Sequence, residues 1–404
     1  MLSVEEVRAR VLACARAIAE TEMLATEDAV GRVLAQPVLA TVDVPALDNS
    51  QMDGYAVRCA EVAQVPARLP LRGRFAAGQA PGILSPGCAA RIFTGAAIPE
   101  GCDAVVMQEA TKLEGDHVVV REAPRRGEWI RRAGSDIAKG ATALQAGQGL
   151  RPQHLGVAAS VGAAKLTVVR KPRVALLCTG DELATPGEQA APGQIYNSNR
   201  YLLAGLIRML GCELQDLGMI PDRLDATKAA LAEAAQGNDL VVSTGGVSVG
   251  EEDHVKAAVL AVGRLDLWKI AMKPGKPLAF GSVRGSVRDV PFLGLPGNPV
   301  SSFITFVLFV RPLLEQLMGL ARRAPAQFEM RADFQWEADP ERREFLRARR
   351  NERGGLDLFP SQNSALLSSV AWADGLVDVP AGAGVSPGQL VPFLPLSDLT
   401  GPVG

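Results

Sequence analysis

Val4, Val7, Val11, Leu12 and Ile18 recur near helical spacing behind Ser3, and Glu6 stands three residues after that serine. This capping-box pattern predicts an amphipathic helix followed by a short helical turn within the first 30 residues. From Gln36 to Asn49 the pattern turns extended and is punctuated by Pro37 and Pro45. Residues 55–150 alternate short apolar runs with turn signals such as Ala77-Gly78-Gln79-Ala80-Pro81-Gly82, Ser85-Pro86-Gly87 and Gln145-Ala146-Gly147. Short strands between such turns indicate a β-rich module. A helix over 152–161 and an extended piece over 166–169 follow.

At Lys171-Pro172 the pattern changes. Continuous apolar strands are expected over 173–178, 213–219, 240–243 and 291–295, and helices over 199–210, 225–235, 253–262 and 300–317. Buried strands alternating with helices specify an α/β unit with a mostly parallel sheet. After Gly319 short alternating segments return, as in Phe345-Leu346-Arg347-Ala348-Arg349, and residues 381–404 hold one charge, Asp398. That suits a small β-barrel or sandwich ending in a loose tail. There is no internal repeat.

A chain of 404 residues exceeds one ordinary core and implies two to four domains. Lys and Arg number 42 against 44 Asp and Glu, a net charge of −2, which argues against a generally basic nucleic-acid binder. Aromatics at 5% leave little for stacking bases of a single strand. Six scattered cysteines and three histidines form no CxxC or HExxH, so a divalent metal would need oxygen ligands. The start MLSVEEVRAR is acidic where a signal peptide needs a basic flank, and the apolar run Phe303 to Val310 is broken by Arg311 and Pro312. A soluble, cytoplasmic protein is the expectation.

The candidate chemistry gathers at three strand ends in the α/β unit: Cys178-Thr179-Gly180-Asp181-Glu182, Ser243-Thr244-Gly245-Gly246-Val247-Ser248, and Leu295-Pro296-Gly297-Asn298-Pro299. Ligands of open parallel sheets bind beyond the carboxyl ends of the strands, and glycine with helix N-termini favours an anion there. Neither GxxxxGKS nor GxGxxG is present, so neither a P-loop nor a dinucleotide fold is indicated. Glu182, Asp222 and Asp253 lie beside these loops, while Glu251 and Glu252 read as partners of a helix dipole. Lys269, Lys273 and Lys276, held in place by Pro274 and Pro277, read as a strand entering a rigid turn, with Lys269 and Lys273 on one face. Such a run is either a solvated edge or an anion-binding turn, and the two prolines favour the anion. In the N-terminal β module, Asp48 to Tyr55 is a dense polar turn and Ile92-Phe93-Thr94-Gly95 repeats the strand-then-Thr-Gly pattern. The pairs Arg125-Arg126 and Arg131-Arg132 either receive phosphate or solubilise a loop. No Ser-His-Asp set can be argued from His117, His154 and His254.

Together these segments resemble the molybdopterin molybdenumtransferase family, to which the gephyrin E domain belongs. The resemblance rests on DNSQMDGYAVR (48–58), RIFTGAAIPEGCDAVVMQE (91–109), CTGDEL (178–183), STGGVSVGEED (243–253), KPGKPLAFG (273–281), GLPGNPVSS (294–302) and SQNSALLSSVAWADGLVDVP (361–380). It implies an extended helical domain (1–44 with 140–170), an inserted β-rich domain (45–139), a molybdopterin-binding α/β domain (171–318) and a C-terminal β-barrel (319–404). It also implies a homodimer with a site shared between subunits. Adenylylated molybdopterin would bind there with Mg²⁺ and molybdate, AMP would leave, and molybdenum would pass to the dithiolene. By the same resemblance Asp53, Lys269, Lys273 and Asp253 are catalytic. Thr94, Asp136, Glu182, Asp222, Gly245, Gly246, Ser248, Lys276, Pro296, Gly297 and Asn298 would bind substrate, with Asp253 and Glu182 as metal ligands. A molybdopterin adenylyltransferase and apo-molybdoenzymes are the implied protein partners. Arg223 follows Asp222 where the family often has a second acid, which counts against paired carboxylates holding Mg²⁺ at that point. The rival readings are a molybdopterin adenylyltransferase and a non-catalytic scaffold of the gephyrin kind.

Overall fold

The computed structural model describes residues 1–246, 254–321 and 326–402. Its centre is a six-stranded sheet in which Glu213–Ile220, Arg173–Thr179, Leu240–Thr244 and Asp289–Leu295 lie side by side in parallel. The expectation of a mostly parallel sheet holds for these four; Pro277–Arg284 and Gly263–Lys269 extend it in antiparallel sense. Alternation along one strand shows how the layers arise. Val174 and Leu176 of Arg173–Thr179 face the helices Ser198–Met209 and Pro299–Leu317, whereas Ala175 and Leu177 face Leu224–Ala234 and His254–Val262. Both faces are therefore covered, and each fully buried Leu or Val contributes about 1.5–3 kcal/mol.

Pro299–Leu317 is long and apolar enough by composition to cross a bilayer, but 78% of its most apolar window is buried in the protein. As expected for 300–317, the helix continues through Arg311 and Pro312, where the apolar run ends, after a π turn over Phe306–Val310. Its side chains Phe303, Phe306, Phe309 and Leu313 fill the largest core. Helix Val4–Ala13 has the expected capping box between Ser3 and Glu6, and its buried Val4, Val7 and Val11 join that same core. The rest of the N-terminal part is less helical than expected: Thr21–Ala25 pairs with Lys165–Val169 and Val38–Leu39 with Thr142–Leu144, beside one helix, Pro152–Ser160.

Between these, Ala104–Met107, Gly54–Val57, Ala89–Ile92, Ala67–Phe75, His117–Val120 and Thr111–Glu114 follow one another across a six-stranded sheet with its own small cores. At the C-terminus the sheet order is Met272–Lys273, Arg343–Arg350, Gly375–Val379, Leu390–Pro395, Phe328–Arg331, and Leu356–Leu358 pairs with Arg343–Arg350. A bridge from Ala332 to Leu356 links the end of Phe328–Arg331 to the start of Leu356–Leu358. The two-residue strand Met272–Lys273 thus leaves the α/β unit and enters the C-terminal sheet.

Candidate active site

The strands Arg173–Thr179, Leu240–Thr244 and Asp289–Leu295 are neighbours and run the same way, so the three glycine-bearing loops emerge at one sheet edge. After Arg173–Thr179 the chain adds Glu213–Ile220 on one side and then Leu240–Thr244 on the other, which places a topological switch point between the first two loops. The buried Asn199 joins the other two: its amide donates to Thr244 Oγ1 at 2.9 Å and to the Gly297 carbonyl at 2.7 Å, and Thr244 Oγ1 donates to the Pro296 carbonyl at 3.3 Å. Gly245 has φ +85°, and a Cβ there would lie 2.3 Å from the Thr179 carbonyl, so only glycine lets the two loops approach this closely. Pro296 is buried, while Gly297 and Asn298 are exposed at the start of Pro299–Leu317. On this edge Thr179 Oγ1, Asn199 Oδ1 and Asp222 Oδ1 are buried without a hydrogen-bond partner. Orphaned buried oxygens are costly unless a ligand or water completes them.

Glu182 and Asp181 are exposed, and Asp181 Oδ1 accepts the Asp222 amide at 3.3 Å, which ties the ends of two adjacent strands. Arg223 turns to Asp225, at 3.3 and 3.2 Å, and not to Asp222. Ser248, Glu251, Glu252 and Asp253 lie outside the described residues. Among the described residues no group of three His, Cys, Asp or Glu side chains is placed to hold a metal. Mg²⁺ needs no such cage, because it keeps waters and uses one or two carboxylates with substrate phosphates. The unpartnered Asp222 Oδ1 and the exposed Glu182 carboxylate fit that donor chemistry.

In the inserted sheet, Asp53 Oδ1 accepts from both the amide and the hydroxyl of Thr94, each at 2.8 Å. These bonds hold the Asp53 carboxyl below its ordinary value, with the Thr94 amide foremost and the Arg91 charge assisting. Asp136 is exposed on the turn that follows Arg131-Arg132, its amide donating to the Val44 carbonyl at 3.0 Å. The arginine pairs divide: Arg132 binds Asp48 at 2.5 Å, Arg126 lies 3.7 Å from Asp103, and Arg125 and Arg131 have no ion-pair partner among the described residues. Among those residues, neither Asp53 nor Thr94 bonds to the α/β unit of its own chain.

The lysine segment corrects the reading of one continuous strand. Lys269 ends the edge strand Gly263–Lys269, Ile270 turns inward to bridge Leu2, and Lys273 pairs in the C-terminal sheet instead. Lys269 and Lys273 therefore belong to two sheets and do not share a strand face. The Ile270 amide donates to the Lys276 carbonyl at 2.8 Å and closes the turn, leaving Lys269 and Lys276 exposed.

Two charged residues escaped notice in the sequence. Glu344 is 1% exposed and lies 2.9 Å from Lys273 Nζ. Arg347, also 1% exposed, has no carboxylate partner among the described residues. Its guanidinium reaches only Ser369 Oγ at 3.2 Å and the carbonyls of Phe345 at 3.3 Å and Asn363 at 3.4 Å. Burial pushes it down to about 10, still a cation at neutral pH. Residues 344–348 of the strand Arg343–Arg350 are buried on both faces, so alternation along the sequence carried no signal for Arg347. The segment after it touches the site directly: the Ser364 carbonyl accepts the Val300 amide at 3.1 Å, at the start of the helix behind Gly297 and Asn298.

A switch-point edge with three glycine-bearing loops, buried oxygens awaiting a partner and lysines nearby defines an α/β protein built to hold an anionic ligand. Family comparison names the ligand class. Residues 2–162 match the MoeA N-terminal region (domain I and II), 175–316 a probable molybdopterin binding domain, and 329–396 the MoeA C-terminal region (domain IV). The molybdopterin molybdenumtransferase of Haemophilus influenzae is 38% identical across 99% of this chain and 100% of its own length, and that of Bacillus subtilis 34% identical across 95% and 91%. The crystal structure of the molybdopterin biosynthesis moeA protein from Pyrococcus horikoshii OT3 superposes with a TM-score of 0.85 at 29% identity, covering 98% of this chain and 100% of that one. This chain belongs to the molybdopterin molybdenumtransferase family.

Proposed function

We propose that the chain is a transferase that inserts molybdenum into molybdopterin, the final step of molybdenum-cofactor synthesis, and that it works on the adenylylated pterin with release of AMP. The observation that carries this reading is the loop edge, where Thr179, Asn199 and Asp222 leave polar atoms buried and unpaired beside Gly245 and Gly297. The loop amides of Gly245, Gly246 and Gly297 cradle phosphate, with Asn199 holding two of the loops at a fixed separation. Glu182 and Asp222 would hold Mg²⁺, which would neutralise phosphate charge. Asp53, fixed by Thr94, stays ionised and orients donors of the substrate rather than taking protons at neutral pH. Molybdate, a substrate anion, is drawn by Lys269, Lys273 and Lys276 and by the buried, unneutralised Arg347.

Because Asp53 and Thr94 flank neighbouring strands of a sheet with its own cores, we infer that they, with Asp136 on the turn beyond it, complete the site of a second subunit in a homodimer. The four-part division at 45–139, 171–318 and 319–404, with the remainder as the first part, belongs to this reading. So does a C-terminal barrel closed through Ala332 and Leu356. Cytoplasmic placement, an adenylyltransferase as donor and apo-molybdoenzymes as recipients complete it. The test is incubation with adenylylated molybdopterin, molybdate and Mg²⁺, following AMP and active cofactor. AMP release that depends on molybdate supports the reading; ATP consumption with unadenylylated molybdopterin would replace it by the adenylyltransferase.

A further inference from the structure

We propose that Glu344 is a positioning residue of the reaction, reaching from the C-terminal sheet to the lysine turn and fixing Lys273 where that lysine meets the anionic substrate. The inference rests on the reading of Lys273 as substrate-facing. Lys273 and Glu344 are direct partners in the parallel register between Met272–Lys273 and Arg343–Arg350, so their side chains stand on one face. Lys273 Nζ lies 2.9 Å from Glu344 Oε1. This is a charge contact without good hydrogen-bond direction, since Oε1 accepts no well-aligned hydrogen bond.

The other carboxylate oxygen is fully engaged. Glu344 Oε2 accepts the Trp336 indole N–H at 2.8 Å and the Asp339 amide at 2.9 Å. Two donors from the C-terminal part therefore aim a buried carboxylate, and its free oxygen points at the lysine. Burial pushes the Glu344 carboxyl up, and the Trp336, Lys273 and Asp339 contacts outweigh it, so the group stays ionised.

Selectivity separates a positioning role from mere packing. Lys269 and Lys276 have no ion-pair partner among the described residues, so Glu344 picks one lysine of three. The two arginines that precede Glu344 in the strand are already neutralised: Arg342 pairs with Asp339, and Arg343 with Asp378 and Glu5. The Lys273 side chain remains 43% exposed, and its ammonium has three N–H groups, so N–H groups not aimed at Glu344 stay free for a ligand. A buried ion pair is a weak way to stabilise a fold compared with apolar packing. An arrangement with one pinned and one open side suits orientation of a cation toward an anion.

The test compares Glu344→Gln, Glu344→Asp, Lys273→Ala and the double variant Lys273→Ala/Glu344→Gln in the full chain, with molybdate and adenylylated molybdopterin varied separately. The expected result for Glu344→Gln is a KM for molybdate raised about 10-fold with the KM for the pterin substrate held, and Glu344→Asp restores part of the loss. The double variant should be no worse than Lys273→Ala alone, as for two groups acting as a unit. A loss in Lys273→Ala with a wild-type molybdate KM in Glu344→Gln overturns the positioning role and leaves the reading of Lys273 standing. Wild-type kinetics in Lys273→Ala overturn that reading, and the inference with it. If Glu344→Gln does not fold, Glu344→Asp decides: its shorter arm must raise the molybdate KM, and an unchanged value overturns the inference.

Discussion

The carboxylate of Asp53 and the side chain of Thr94, 41 residues apart in the chain, form a two-point clamp in which one oxygen accepts both the amide and the hydroxyl. Every function assigned to Asp53 passes through this clamp, because the accepted hydrogen bonds both orient the group and keep it ionised. Asp53→Asn is expected to lower turnover about 100-fold or more without moving the melting temperature, since the site is exposed and surface changes of this kind stay within about 0.5 kcal/mol. Thr94→Ala removes one of the two bonds. Its acid limb in a pH–rate profile should move to higher pH, because the Asp53 carboxyl then protonates more readily. A limb that does not move would sever Asp53 from the rate.

The α/β layers were legible because strand alternation is a local property: Val174 and Leu176 against Ala175 and Leu177 already separate two faces. The loop glycines were legible for the same reason, since a tight approach such as Gly245 to Thr179 tolerates no other residue. The lysine segment misled because Ile270, an apolar residue in an apolar run, turns inward to Leu2 and splits the strand. No local pattern announces that bridge. Glu344 and Arg347 sit in a stretch dense in arginine, where charge reads as solvent-facing, and only the C-terminal sheet shows that both are buried. Asp53 and Thr94 were each placed at the site through family resemblance, and the bond between them is a long-range fact that spacing does not contain.

Asn199 is the hinge pin of the loop edge. Its amide satisfies Thr244 Oγ1 and the Gly297 carbonyl at once, from a side chain that is 9% exposed. Asn199→Ala leaves the Gly297 carbonyl without its donor and Thr244 Oγ1 with only its bond to the Pro296 carbonyl, for an expected loss of about 1–3 kcal/mol in chemical unfolding. It should also raise the KM for the pterin substrate, because the loops of Thr244 and Gly297 lose their common tether. A destabilised variant with an unchanged pterin KM would show that the tether serves folding alone.

At the opposite edge of the same sheet, Asp239 is 2% exposed and accepts Arg170 at 2.7 and 3.0 Å, Arg288 at 2.6 Å and the Arg173 amide at 2.9 Å. Burial pushes its carboxyl up, yet the arginines and the amide bring it below the ordinary value. A carboxyl lowered in the folded state adds stability that is complete above the unfolded value of about 3.9 and is lost as pH falls through the folded value. Acid unfolding should therefore steepen below about pH 4 in the wild type. Asp239→Asn should lose stability by about 3 kcal/mol at neutral pH and flatten that acid limb, with activity per folded molecule intact. An equally steep acid limb in the variant would move the effect to other carboxylates.

Arg347 offers a separation of stability from function. A guanidinium that is 1% exposed and held only by neutral oxygens at 3.2 to 3.4 Å is an uncompensated buried charge. Replacing such a charge with an apolar side chain of similar volume removes its desolvation cost, the term that makes even paired buried charges poor stabilisers. Arg347→Met should therefore melt at or above the wild-type temperature while molybdenum insertion collapses. Added molybdate supplies the second half of the test. If Arg347 is the anion's counter-charge, saturating molybdate stabilises the wild type, by about 2.7 kcal/mol at one hundred times its dissociation constant, and leaves Arg347→Met unmoved. A variant that melts lower than the wild type, responds to molybdate as the wild type does and still turns over would return Arg347 to a structural part in the C-terminal core.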